Sequence, residues 1–140
     1  MHIESNKQQA VSSKQKTITK FTDLVAWQEG HKLVLQIYKL TKLFPKDEQF
    51  ALTNQMRRAA VSITSNLAEG FSRQTKADKS HFYTMSHGSL TELQNHLLIA
   101  RDVNYIDNTE LHHTAEQSSM VHKLIFGLLK SLKDGKGVSV

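Results

Sequence analysis

The side chains that could hold a metal ion are the first to weigh in this sequence. Glu110 and His113 form a Glu-x-x-His pair, a spacing that a di-iron carboxylate centre uses twice in a four-helix bundle. Such a centre also needs a second pair and further carboxylates, and only Glu69, Glu92 and His96 offer suitable groups. Because the ligand set is incomplete, we expect these side chains to make structural hydrogen bonds, and we predict no metal and no cofactor.

Other catalytic arrangements are missing from the sequence. Serines are plentiful, but there is no Gly-x-Ser-x-Gly turn and no glycine-rich phosphate loop. The chain has no cysteine, which excludes disulfides, thiolate zinc sites and a cysteine nucleophile. We therefore predict a protein that is not an enzyme.

Polar side chains recur at steps of three and four in residues 54–70, and again in residues 86–96. Such steps place side chains on one helix face, beside the apolar seam. The residues that we assign to a polar network between the two helices are Gln55, Arg58, Ser62, Ser65, Asn66, Glu69, Ser89 and Glu92. Because buried polar groups must be paired, we expect a network that links Arg58, Glu69 and Glu92 through the serines and Asn66, and that fixes helix register. The alternative is a surface for a polar ligand or a nucleic acid.

Basic residues give the chain a formal net charge of +5. Residues 1–20 carry four lysines and one glutamate, or +3, so residues 21–140 carry +2. The basic residues that we predict to contact nucleic acid are Arg57, Arg58, Arg73, Lys76 and Lys79. The last three lie around one inter-helix turn, where one end of a bundle would meet phosphates.

The elements that must position these residues are four segments with apolar residues at helical spacing. The first runs from Leu24 to Leu43, the second opens at Pro45, the third is capped by Thr75, and the fourth is capped by Asp107 or Asn108. The apolar seam of the third is predicted to pass through Phe82 and Met85. Short connections between long helices predict an all-α fold, an antiparallel up-down-up-down four-helix bundle.

The chain divides into a body and two terminal segments. Residues 1–20 lack an apolar period and predict a flexible basic arm, residues 21–134 form the bundle, and residues 135–140 form a short tail. No apolar run approaches about 18 residues, and we expect a cytoplasmic protein without membrane contact.

Two adjacent apolar stripes on the first helix make an apolar arc wider than a surface helix needs. One stripe either completes the core or faces a second copy of the chain. The residues that we predict for such an interface are Trp27, Leu33, Ile37 and Leu40.

Several short motifs occur in an order that resembles one known family. They are Phe21-x-Asp23-Leu24-x-x-Trp27-Gln28, Phe44-Pro45, Gln55-Met56-Arg57-Arg58-Ala59-Ala60-x-Ser62-Ile63, Asn66-Leu67-Ala68-Glu69-Gly70 and Gly88-Ser89-Leu90-x-Glu92. Together they resemble the four-helix bundle proteins encoded in intervening sequences of bacterial 23S ribosomal RNA genes, over residues 21–133.

The resemblance implies a compact bundle that assembles into a homopentamer and has no established biochemical activity. A distant relative, the accessory variability determinant of diversity-generating retroelements, is a similar pentamer that binds nucleic acid and partners a reverse transcriptase. We therefore expect a homo-oligomeric bundle that binds RNA or DNA, with a nucleic-acid-processing protein as a further candidate partner. The alternative is a protein-interaction adaptor that does not bind nucleic acid.

Overall fold

The computed structural model describes residues 17–135, which form four antiparallel α-helices and no β-strand. The helices are α1 (Val25–Thr41), α2 (Leu52–Ser72), α3 (Lys76–Asp102) and α4 (Asn108–Lys133). Each helix packs on the next, α4 returns to α1, and the most extensive pair is α2 with α3. The predicted up-down-up-down bundle is confirmed. Within this range no helix has the length and apolar character that crossing a membrane requires.

One apolar face of each helix supplies the core. The fully buried side chains include Met56, Ile63 and Leu67 on α2 and Val121 and Ile125 on α4. At about 25 cal/mol per Å² of apolar surface, each of these side chains contributes about 1.5–3 kcal/mol when buried. The four seams together hold the helices in one bundle.

The predicted seam of α3 is wrong in its first half. Tyr83 and Ser86 are fully buried there, whereas Phe82 is half-buried and Met85 is exposed. The physical reason is Gly70 on α2, where an added Cβ would lie 2.7 Å from the ring of Tyr83. The Tyr83 ring occupies the space that the missing side chain leaves, and α3 is therefore turned by one position from the predicted seam.

Helix boundaries agree with the prediction where a side chain caps the helix. Thr75 Oγ1 accepts a hydrogen bond from the Asp78 amide at 3.0 Å, and Asp107 forms a reciprocal capping box with Glu110. The predicted start of the second helix at Pro45 is wrong. Residues 46–48 form a short 3₁₀ turn, and α2 begins at Leu52, whose amide donates to the Glu48 carboxylate at 3.1 Å.

The predicted arm lies mostly outside the described residues, as do residues 136–140 of the predicted tail. Its last part, residues 17–20, leads into a 3₁₀ turn at Phe21–Asp23. Ile18 packs against the core, and Asp23 accepts the amides of Thr19 and Lys20 at 3.0 and 3.2 Å. Residues 17–20 therefore contact the body of the protein, whereas the arm predicted for residues 1–20 otherwise stays a prediction.

Candidate nucleic-acid interface

Two of the five predicted basic contacts are held by the bundle itself. Arg57 Nε donates to Thr41 Oγ1 at 2.8 Å, and its guanidinium lies 4.6 Å from the centre of the Tyr38 ring. Lys79 Nζ donates to the carbonyl of Phe71 at 2.6 Å, and burial lowers the pKa of this ammonium below its usual range. Arg57 therefore fastens the end of α1 to α2, and Lys79 caps the carbonyl end of α2.

The other three predicted contacts remain open to solvent. Arg73 forms an ion pair with Glu69 at 2.8 Å and lies 4.7 Å from the Phe82 ring centre, yet 43% of its side chain is exposed. Arg58 and Lys76 are exposed, and neither makes an ion pair or hydrogen bond with another described residue. The structure thus leaves Arg58, Arg73 and Lys76 available to an external anion.

Arg73 and Lys76 lie at the end of the bundle where α1 and α3 begin and α2 and α4 end. Lys76 Nζ is 3.7 Å from the Cβ position of Gly135, so the start of α3 and the end of α4 are neighbours. Residues 17–24, 69–79 and 130–135 form this end, with six cationic side chains and four carboxylates, or +2. The opposite end, residues 39–48 and 101–110, has four cationic side chains and five carboxylates, or −1. We call the first of these the basic end.

Three lysines of the basic end were missed by the sequence reasoning. Lys20 precedes α1, and Lys130 and Lys133 are in the last turn of α4, all of them exposed. Each looks ordinary in sequence, because lysine is favoured in the last turn of any helix. The signal that could have found them is the antiparallel topology, which brings the end of α4 to the turn between α2 and α3.

The polar network forms between α2 and α3, but with fewer members than predicted. Ser62 Oγ and Ser89 Oγ share a hydrogen bond of 2.7 Å, and Asn66 Nδ2 donates to Ser62 Oγ at 3.0 Å. One turn away, the buried Ser86 hydroxyl donates to the Ile63 carbonyl at 2.7 Å. The Ser62–Ser89 and Ser86–Ile63 bonds join the two helices across their close contact and fix their register, and Asn66 orients Ser62 within α2.

The predicted link through Arg58, Glu69 and Glu92 is wrong. Glu69 pairs with Arg73, the residue that follows α2, at 2.8 Å, and Glu92 Oε2 lies 3.7 Å from the imidazole of His96 on its own helix. Residues four apart are neighbours on a helix surface, so each carboxylate lies beside a residue of its own segment and does not reach the other helix. Gln55 and Ser65 are exposed and take no part in the hydrogen bonds between α2 and α3. Gln55, Arg58, Ser62 and Glu92 instead line one cleft between the two helices.

Of the four interface residues predicted on α1, two are fully buried in the single chain and two are half-buried. Leu33 and Ile37 are fully buried inside the single chain, so the prediction that they contact a second copy is wrong. Trp27 and Leu40 are half-buried and pack against the core. The large apolar side chains that a partner could cover lie elsewhere, and the four most exposed are Leu35, Leu43, Phe50 and Phe126.

The groups considered as metal ligands do not assemble. Glu110 is engaged in the cap of α4, and His113 is exposed beside it. His96 is buried, and burial lowers the pKa of its imidazole while the nearby Glu92 opposes that change. Across residues 17–135 there is no group of three or more His, Cys, Asp or Glu side chains that could hold a metal ion.

These features define the chain as a four-helix bundle with one basic end and a polar seam between α2 and α3. The chain matches the model of the 23S rRNA-intervening sequence protein family over residues 22–127 and belongs to that family. A crystal structure from Bacteroides thetaiotaomicron, of a protein with unknown function from the S23 ribosomal protein family, is similar in fold. Its TM-score is 0.70 at 21% identity, over 76% of this chain and 99% of that one. The comparison with curated proteins finds no match.

Proposed function

We propose that this protein is a non-enzymatic, homo-oligomeric bundle that binds RNA or DNA through phosphate contacts at its basic end. The observation that carries the proposal is the separation of charge along the bundle, with +2 at one end and −1 at the other. The preceding residues 1–16 add Lys7, Lys14 and Lys16 against Glu4, and they join the body at the positive end. Lysines and arginines that neutralise phosphates release counterions, which drives binding without base readout.

Assembly strengthens this proposal, because every copy adds its own basic end. Residues Leu35, Leu43 and Phe126 are 56%, 80% and 48% exposed in the single chain, which favours a partner that covers them. The five-fold assembly implied by the family resemblance would multiply the charge of each body and each N-terminal segment. Light scattering tests this step: we expect a multiple of the 15.9 kDa chain mass. A homogeneous particle of one chain mass would remove oligomerisation from the proposal.

Neutralising three lysines at either end of the bundle tests nucleic-acid binding. The plot of log affinity for duplex DNA against log salt concentration has a negative slope. In K76Q/K130Q/K133Q this slope should become less negative by about 2.7, at about 0.9 per lost phosphate contact. The matched control is K39Q/K42Q/K46Q, which removes the same charge from exposed lysines at the opposite end. Fluorescence anisotropy with a structured RNA and a DNA duplex supplies the affinities. Equal slopes for the two variants would refute the basic end as the contact surface.

A protein-interaction adaptor is the second candidate function. The same exposed apolar side chains favour it, since a partner protein could cover them as well as a second copy. Salt-insensitive association with a protein, together with no detectable binding of RNA or DNA at micromolar protein, would support this function over the first.

A further inference from the structure

A cleft of about 400 Å³ opens between α2 and α3, well away from the basic end. Asn54, Gln55, Arg58 and Ser62 of α2 form one wall, and Glu92 of α3 faces them. Phe50, from the segment that precedes α2, completes the lining. The volume lies within the usual range for sites of small organic groups.

Phe50 is the most exposed large apolar side chain in the described residues, at 87%. Among residues 17–135 no other ring contacts it, whereas Phe21, Phe44, Phe82 and Phe126 each lie against a neighbouring ring. Covering an exposed aromatic face with a flat group is favourable, and a nucleobase is such a group.

Two polar side chains of the cleft, Gln55 and Arg58, have no hydrogen-bond or ion-pair partner among the described residues, and their groups complement the Glu92 carboxylate. Arg58 and Glu92 line the same space without forming an ion pair, and Glu92 Oε2 lies 3.7 Å from His96 Nε2 on its own helix. Arginine presents a fork of donors that matches a phosphate, and the Gln55 amide offers both a donor and an acceptor. The Glu92 carboxylate accepts hydrogen bonds only, which suits an exocyclic amino group on a base.

The cleft and the basic end lie along one side of α2. Arg58 and Arg73 are 15 positions apart, which is about 22 Å along the helix axis and about 60° around it. A few nucleotides of extended single strand span that distance. One strand can therefore contact the basic end with its phosphates while one of its bases enters the cleft.

We propose that this cleft binds one unpaired nucleotide of a single-stranded nucleic acid, with the base stacked on Phe50 and its phosphate on Arg58. The amide of Gln55 and the carboxylate of Glu92 read the edge of the base. Cytosine and adenine, which carry exocyclic amino groups, are then preferred over uracil. This inference rests on the proposed function and extends it by naming an unpaired strand as the bound form.

Two exposed residues of the cleft allow a test that does not disturb the fold. Anisotropy is measured with a single-stranded oligocytidine and with a duplex of equal length, for F50A and R58Q. We expect F50A to weaken single-strand binding about tenfold, with duplex binding changed by less than about twofold, because the duplex offers no free base. The matched controls are M120A and K42Q, which alter exposed side chains that do not line the cleft.

A second measurement reports stacking directly. In the F50W variant, tryptophan fluorescence should be quenched by oligocytidine beyond the change seen with the wild-type chain, whose Trp27 is half-buried. Unchanged single-strand affinity in F50A and R58Q would refute nucleotide binding in the cleft. Equal losses of affinity for single strand and duplex would refute it as well. The proposal that the basic end binds nucleic acid would still hold if K76Q/K130Q/K133Q lowered the affinity for both probes. If no nucleic acid binds the wild-type chain, the proposed function and the cleft fail together.

Discussion

Replacing Gly70 with alanine tests the close contact between α2 and α3, on which both the polar network and the cleft depend. The added Cβ would lie 2.7 and 2.8 Å from two carbons of the Tyr83 ring and 3.1 Å from Phe82 Cβ. Carbon atoms pack at about 3.5–4.0 Å. The two helices must therefore separate by almost an ångström, or the buried ring must leave its position.

The expected cost follows from two opposing effects. Overpacking of a closely packed site costs about 1–3 kcal/mol, whereas alanine gains about 0.5–1 kcal/mol over glycine within a helix. The difference between these effects predicts that G70A lowers the free energy of unfolding by up to about 2.5 kcal/mol, measured by urea denaturation.

Gly88 provides the matched control for this substitution. It lies within α3, but its Cβ position has no atom within 4 Å. The variant G88A should therefore be about 0.5–1 kcal/mol more stable than the wild-type chain. If G70A were also stabilised, the tight contact between α2 and α3 would be refuted.

Three further predictions concern contacts that hold the bundle. The variant S89A should lower the free energy of unfolding by about 0.5–1.5 kcal/mol in urea, since Ser62 loses its partner across the helices. The variant R57A should lower the free energy of unfolding by about 1–2 kcal/mol in the same assay. The salt dependence of nucleic-acid binding should stay unchanged, because Arg57 contacts Thr41 and Tyr38 within the bundle. Burial lowers the pKa of His87 and His96 below 6.5, and a neighbouring imidazole adds to this effect for His87. The unfolded chain therefore binds more protons as pH falls below about 6.5, so stability should decrease there, and H96Q should flatten the decrease in urea titrations at several pH values. A flat pH profile in the wild-type chain would contradict the last prediction.

Features of the fold that depend on nearby residues could be predicted from the sequence. The caps of α3 and α4 are examples, because Thr75 and Asp107 each bond an amide three residues along. The start of α2 could not be predicted in this way. The acidic residues after Pro45 suit a helix start, but the Glu48 side chain also accepts a hydrogen bond from the Tyr105 hydroxyl, 57 residues away.

The register of α3 and the membership of the candidate site also required tertiary contacts. A helix pattern shows which residues share a face, but not that Gly70 admits Tyr83 in place of Phe82. The polar side chains at helical spacing in residues 54–70 and 86–96 predicted contact between α2 and α3, and Ser62 and Ser89 are hydrogen-bonded there. The partners of Arg57 and Lys79 are not visible in the sequence, because their selection depends on where two helix ends lie.

The location of bound RNA on the intact chain tests the central claim most directly. RNA that carries photoreactive bases is crosslinked to the wild-type protein at low salt, and the crosslinked peptides are identified by mass spectrometry. We predict crosslinks in residues 69–79 and 130–135, which form the basic end, and at Phe50 in the cleft. Crosslinks confined to residues 39–48 and 101–110, or no crosslinks at all, would contradict the account.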